Sequence, residues 1–233
     1  MNKENIHNTE LRGNQDNLKI INNFFENIPS EKLLVLLDSG YAVEALMGGN
    51  ITRKHDDVDF IFLKMSNICN DEIENIALKN VQNNFGKWES LETKPNWIWL
   101  QQNENIQNSF SNRINIHIIE GKKCTEGQIK LVSSVGNEFF MDIEKCYLKK
   151  INVSIDVLSP CLEFMVSSKI RLIEPYGNCP RQKDLYDIKR MMNSTSFSLE
   201  KSISILSEFY QNKYGLSLVE SQKRALKEIY YYL

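Results

Sequence analysis

Asp57 and Asp59 stand one residue apart at the mouth of an apolar run, in GGNITRKHDDVDFIFL, with Arg53, Lys54 and His55 just upstream. Alternate side chains of a β-strand share a face, so both carboxylates point the same way, with Cα atoms roughly 6.5–7 Å apart. Two carboxylates held so close repel and raise each other's pKa. A cation between them relieves the repulsion. Mg²⁺ is the natural candidate, because it takes hard oxygen ligands from one or two protein carboxylates plus substrate phosphates. Taken by itself the pair also fits two solvated acids at a strand start, each facing Arg53 or Lys54. Its surroundings decide between the two readings.

Upstream, LLVLLDSGYAVEAL reads as strand, small-residue turn and helix. Ser39 and Gly40 fall where exposed N–H groups at a helix N-terminus can cradle a phosphate, and Gly40 lets a backbone approach closely. Alone, Ser39-Gly40 is an ordinary helix start. Joined to the aspartate pair, it makes a unit: a turn that grips a triphosphate and carboxylates that hold its metal.

The stretch SGYAVEALMGGNITRKHDDVDF resembles the motif of the DNA polymerase β-like nucleotidyltransferases, most of all the branch of aminoglycoside and lincosamide nucleotidyltransferases. That branch carries Gly-Gly-aromatic-Gly/Ala-x-Asp, then Gly-x-x-x-Arg-x-His-x-Asp-hydrophobic-Asp. Ser39 replaces the first Gly, Tyr41 supplies the aromatic residue and Glu44 stands for the Asp. Gly49, Arg53, His55, Asp57 and Asp59 match in type and spacing. A second block, RQKDLYDIKRM, resembles the family's late Arg-Pro-Lys-Asp-x-x-Asp helix, with Gln182 in place of Pro.

The resemblance implies that Asp57 and Asp59 bind Mg²⁺ carrying an NTP, expected to be ATP. It implies transfer of the nucleoside monophosphate to a hydroxyl of a small acceptor, antibiotic-like as in antibiotic resistance. Ser39, Gly40, Arg53 and Lys183 are the expected nucleotide-binding residues. Arg53 reads equally as a structural partner of Glu44, and Lys183 as a partner of Asp187 one helical turn on. His55 reads as a loop-orienting hydrogen-bond donor. The family's third carboxylate, metal ligand or base, falls at Asn115 in RINIHIIE. An amide takes no proton from a hydroxyl at neutral pH, so activity is in question at this position. Glu120, Glu138, Asp142 and Asp156 are the substitute bases considered. His117 and Glu138 are placed on the acceptor side, and Glu138, Asp142 and Glu163 could line an acidic cleft for a cationic aminoglycoside. The alternatives are an impaired nucleotide-binding or regulatory protein and a protein-modifying nucleotidyltransferase of the toxin–antitoxin kind.

The elements that must position these residues follow from hydrophobic periodicity. Leu18, Ile21, Phe24, Phe25 and Ile28 predict a helix over about 16–28, and Ile73, Ile76, Ala77 and Val81 a second. LLVLL, VDFIFL, Lys87–Glu92, Trp97–Gln101, RINIHII and INVSIDVL read as strands, with a turn at Pro95-Asn96. Trp97 and Trp99 alternate onto one strand face, as core or pocket wall. Lys122–Cys124 reads as a solvated turn. After Ser159-Pro160 the spacing predicts only helices. The expected fold is therefore α+β: a mixed-sheet nucleotidyltransferase core over 1–158, and a helical C-terminal part over 159–233 forming one wall of the acceptor cleft.

Bulk properties narrow the function classes. The 233 residues carry a net charge of −2 and no basic stripe, which argues against nucleic acid as a partner. No apolar run approaches the ~18–20 residues that span a membrane. The five cysteines form no CxxC pair, which reads as reduced thiols in a cytoplasmic setting.

Overall fold

The computed structural model describes residues 3–94, 96–102, 113–125, 127–132, 138–150, 153–173 and 179–232. Its centre is an antiparallel pair, β1 (Leu33–Asp38) and β2 (Asp57–Lys64). Continuous apolar stretches form these strands because both of their faces are covered. Leu33, Leu36, Leu37, Phe60, Phe62 and Leu63 are almost wholly buried. Helix α1 (Lys3–Asn27) crosses this pair and stacks Phe24 on Phe60 at 4.6 Å. It begins well before the predicted start at residue 16.

The chain leaves β1 through Ser39 into α2 (Ser39–Leu46), which Gly48 and Gly49 end with positive φ. A Cβ at Gly49 would lie 2.6 Å from the Tyr147 carbonyl, so only glycine fits this crossing. After β2 come α3 (Asn70–Phe85) and the hairpin β3 (Trp88–Lys94) and β4 (Trp97–Gln102). Strand β5 (Arg113–Thr125) runs parallel to β2, with Asp59 opposite Asn115, and its other edge takes β4 antiparallel. Its far half continues into β6 (Gln128–Val132), β7 (Glu138–Lys150) and β8 (Val153–Pro160), all antiparallel. The mixed sheet expected from the sequence is present, but β6 and β7 were not predicted. Lys122–Cys124 lies inside β5, correcting the solvated turn. Helices α4 (Leu162–Ile173), α5 (Gln182–Met192), α6 (Leu199–Tyr214) and α7 (Leu218–Tyr230) follow, close to their predicted spans.

The loop between α2 and β2 leads into the aspartates, and a buried carboxylate shapes it. Glu44 accepts hydrogen bonds from the Thr52 N–H (3.1 Å) and hydroxyl (2.8 Å), and from Arg190 Nη1 on α5 (2.7 Å). His55 Nε2 lies 3.2 Å away, and its ring sits 4.3 Å from that of Tyr41. Asn17 of α1 donates to the Tyr41 hydroxyl and to the His55 carbonyl. Burial would raise the Glu44 pKa, but bonds from His55, Arg190 and Thr52 bring it down to about 2.

A carboxylate held below its ordinary value stabilises the fold above that value, and the contribution is lost as pH falls through the folded one. Glu44→Gln is therefore expected to cost about 3 kcal/mol near neutral pH, since it leaves Arg190 without its buried counter-charge. The gap between parent and variant should close as pH falls from about 4.5 toward 2. Denaturant titrations of both proteins across that range check this, and a gap independent of pH would contradict it.

Candidate active site

Asp57 and Asp59 emerge at the start of β2 on the face opposite Phe60, because side chains alternate along the strand. They line a cavity of about 400 Å³ between the sheet and helices α4 and α5. Asp38, at the end of β1, stands directly across from Asp59 in the strand register and lines the same cavity. Asn115 completes the row from β5. Its amide Nδ2 donates to Asp59 Oδ1 at 2.8 Å and approaches Asp57 Oδ2 at 3.4 Å. Asn115 thus occupies the place that the sequence reading gives to a third carboxylate, and offers a donor there.

Burial pushes the Asp59 carboxyl up to about 7. The charges of Asp57 and Asp38 add to this, while hydrogen bonds from Asn115 and Ser39 oppose it. Burial also raises Asp38, against the pull of the Ser39 backbone N–H, Lys169 and Arg171. The three carboxylates cannot all ionise cheaply without added positive charge. Two hard-oxygen donors on one face, with Asp59 destabilised as an anion, are a donor set that suits Mg²⁺. Among the described residues no group of three His, Cys, Asp or Glu side chains is arranged as a metal cluster. That accords with an amide at position 115.

The helical wall carries the cations. Lys169 on α4 is almost buried and reaches Asp187 at 3.0 Å and Asp184 at 3.4 Å. Arg181, just before α5, binds Asp184 at 2.6 Å. Lys183 is exposed on the cavity rim. Its expected pairing with Asp187 is not formed, because Asp187 is taken by Lys169 and by Arg53 at 3.0 Å. Arg53 correspondingly does not pair with Glu44, which Arg190 occupies.

Ser39 lines the cavity and holds φ at 55°, a left-handed conformation unusual for a residue with a Cβ. Gly40 is not among the residues of the wall. A Cβ there would lie 2.4 Å from His55 Nδ1 and 2.8 Å from Arg53 Nη2, so the glycine admits the loop rather than a ligand. His117 is also set back from the cavity, stacked under Trp97 at 4.2 Å, and burial with the Arg171 charge lowers its pKa to about 4. Glu138 opens β7 opposite Val132, which pairs with Glu120. Glu120 in turn sits beside Lys64, at the end of β2 away from Asp57, and the Glu138 side chain lies outside the described residues. Asp142 and Glu163 are bound by Lys201 and do not line the cavity, so no acidic cleft forms from them.

The sequence reading missed Asp38 and Lys169, and it included Arg181 in the RQKDLYDIKRM block without giving it a role. Asp38 carries a signal in retrospect, an acid ending an apolar strand just before the small-residue turn. Lys169 carries none, since a lone lysine in an apolar helix is common on surfaces.

A strand bearing paired carboxylates, beside a small-residue turn in a mixed sheet and facing a helical wall, is the arrangement of a nucleotidyltransferase fold. Solved structures agree. The chain is similar to ANT(2'')-Ia in complex with adenylyl-2''-tobramycin, with a TM-score of 0.50 and 15% identity, over 83% of this chain and 94% of that one. The solution structure of the antibiotic-resistance factor ANT(2'')-Ia matches with a TM-score of 0.54 and 13% identity, over 94% and 99%. MenT4, a nucleotidyltransferase toxin of Mycobacterium tuberculosis H37Rv, matches with a TM-score of 0.57 and 9% identity, over 88% and 65%. No family model and no curated protein matches the sequence. The chain has the nucleotidyltransferase fold.

Gly40→Ala tests the packing of the loop without touching the cavity wall. Its Cβ displaces His55 and Arg53, and is expected to cost about 1–3 kcal/mol, as overpacking does. Thermal unfolding measures the loss, and an unchanged midpoint would show that the loop yields freely.

Proposed function

We propose that the chain catalyses Mg²⁺-dependent transfer of a nucleoside monophosphate, AMP from ATP, to a hydroxyl of a small molecule. The observation that carries this reading is the row Asp57, Asp59 and Asn115 facing Lys169, Arg181 and Lys183 across one cavity. Asp57 and Asp59 would hold the metal, with substrate phosphates completing its ligands. When bound, Mg²⁺ neutralises the charge of the phosphoryl oxygens. The protein's own part is mostly positioning and charge. Ser39 presents the first turn of α2 to a phosphate. Lys183 and Arg181 offer ammonium and guanidinium groups to the triphosphate, Lys183 without an ion-pair partner among the described residues. The acceptor oxygen attacks the α-phosphorus, pyrophosphate leaves, and the hydroxyl proton passes to a base or to water.

Asn115 cannot take that proton. None of Glu120, Asp142 and Asp156 is among the residues lining the cavity, and Asp184 is held by Lys169 and Arg181. Asp38 is then the carboxylate on this wall outside the aspartate pair. A protein that binds nucleotide with little turnover is the second reading, and the Asn115 amide donating to Asp59 favours it.

Incubation with labelled NTPs and a panel of hydroxylated acceptors, antibiotics included, tests the proposal. A labelled small molecule supports it. A labelled protein band points to the toxin-like reading. No label at all, with Mg·ATP still bound, points to the binding protein. Asn115→Asp restores a carboxylate of nearly the same shape, and single-turnover transfer is expected to rise by about 10²-fold or more. An unchanged rate in a parent that already turns over would move the base elsewhere, to Asp38 first.

The Asp59 proton must leave before its carboxylate can ligate a metal. Mg²⁺ binding is therefore expected to tighten as pH rises through about 7. Below that value it should release a proton and weaken by about tenfold per pH unit. Calorimetry in two buffers of different ionisation enthalpy measures the proton release, and binding independent of pH from 5.5 to 8 would contradict it.

A further inference from the structure

The cavity has an aromatic end that the transfer chemistry does not use. Trp97 and Trp99 project from β4 on one face, with ring centroids 6.3 Å apart and planes 18° from parallel. Both line the cavity beside Asn115, and Trp99 stands directly across from Asn115 in the strand register. Trp97 is 37% exposed, high for so large an apolar side chain at the wall of a cavity. One of its faces is backed by the His117 ring at 4.2 Å, and the Lys94 ammonium lies 4.8 Å from the Trp99 ring. Leu172 and Ile173 of α4 line the same cavity.

Among the described residues no carboxylate is left at this end to attract a polycation. Asp142 and Glu163 share Lys201 and do not line the cavity, and Asp184 is shared by Lys169 and Arg181. Asp57 and Asp59 belong to the metal. A molecule with several ammonium groups would meet two indoles and aliphatic side chains at this end of the cavity.

From this juxtaposition we infer that the acceptor is a hydroxylated molecule with a flat ring, uncharged on that face, which stacks on Trp97 and Trp99 and so brings its hydroxyl to Asn115 and Asp59. The inference rests on the proposed transfer reaction for the role of the bound molecule. The stacking platform stands on its own geometry. Planar rings gain about 1–3 kcal/mol on an aromatic side chain, and no carboxylate beside the two indoles is left over for ammonium groups. In the proposed reaction the triphosphate is assigned to Ser39, Arg181 and Lys183, which leaves the β4 end to the acceptor.

Two measurements separate this inference from the proposed reaction. In the first, intrinsic tryptophan fluorescence is followed with Mg²⁺ and a non-hydrolysable ATP analogue. Uridine, a neutral aryl glycoside and the polycation tobramycin serve as probes. At least one flat-ring probe is expected to quench saturably and tobramycin not to. Trp97→Leu should weaken the ring probe about tenfold or more, Trp97→Phe should retain it, and nucleotide affinity should not change in either. In the second, the same probes are offered with labelled ATP. Ring binding without transfer to any acceptor would leave the platform standing and sink the proposed reaction. Efficient labelling of tobramycin would keep the reaction and overturn the inference. So would failure of both ring probes to bind, or binding that survives Trp97→Leu undiminished.

Discussion

Like charges held face to face are the constraint on which the rest of this site depends. The antiparallel register of β1 and β2 sets Asp38 opposite Asp59, and strand alternation adds Asp57 on the same face. Directly opposed like charges destabilise a sheet, and these sit where burial makes ionisation costly. The fold answers in two ways. Asn115 and Ser39 donate hydrogen bonds to Asp59. Lys169 and Arg171 stand close enough to pull Asp38 down against its burial. The negative charge left over is the feature on which the proposed metal site rests.

Those answers require the sheet and the helical segment to stay in register. Two chains of alternating charge do this. One joins Glu44 to Arg190, tying α2 to the last turn of α5. The other runs from Arg53 through Asp187, Lys169 and Asp184 to Arg181, tying the α2–β2 loop to α4 and both ends of the cavity's helical wall. Buried ion pairs add little net stability, but losing one partner costs several kcal/mol. They therefore specify geometry more than they add stability. Lys169 cannot move far from the aspartates while Asp187 holds it, and Asp187 is nearly inaccessible to solvent.

The same economy shapes the acceptor end. Every described carboxylate of the cavity belongs either to the carboxylate row or to the cation chain. What remains over β4 is aromatic surface. The resemblance in sequence leads to an antibiotic-modifying branch whose aminoglycoside acceptors are polycations, yet Asp142 and Glu163 are not among the residues lining the cavity. A motif preserves the chemistry common to a superfamily. The wall that recognises the acceptor is assembled from elsewhere in the chain.

Short-range physics was legible in the sequence. The small-residue turn, the aspartate pair with its strand alternation and the helices after Pro160 each depend on residues close together in the chain, whereas the expectation at position 115 came from the resemblance to a family. Tertiary structure alone decided the partners. Arg190 reaches Glu44 across 146 residues and Arg53 reaches Asp187 across 134, separations at which composition and periodicity carry no signal. Both alternatives weighed for Arg53 and Lys183 were local, and both local pairings lost to a distant partner, because a buried carboxylate binds whichever cation the packing brings first. β6 and β7 escaped notice for a related reason. Their exposed faces carry Lys130, Glu144 and Lys145, so the alternation is weak, and each is a strand chiefly because a neighbour supplies its hydrogen bonds. Gly40 shows the limit most sharply: its sequence context points to a phosphate, and the chain instead uses the missing Cβ to admit His55. Which atom fills a vacant volume is a property of the folded packing, and no local pattern encodes it.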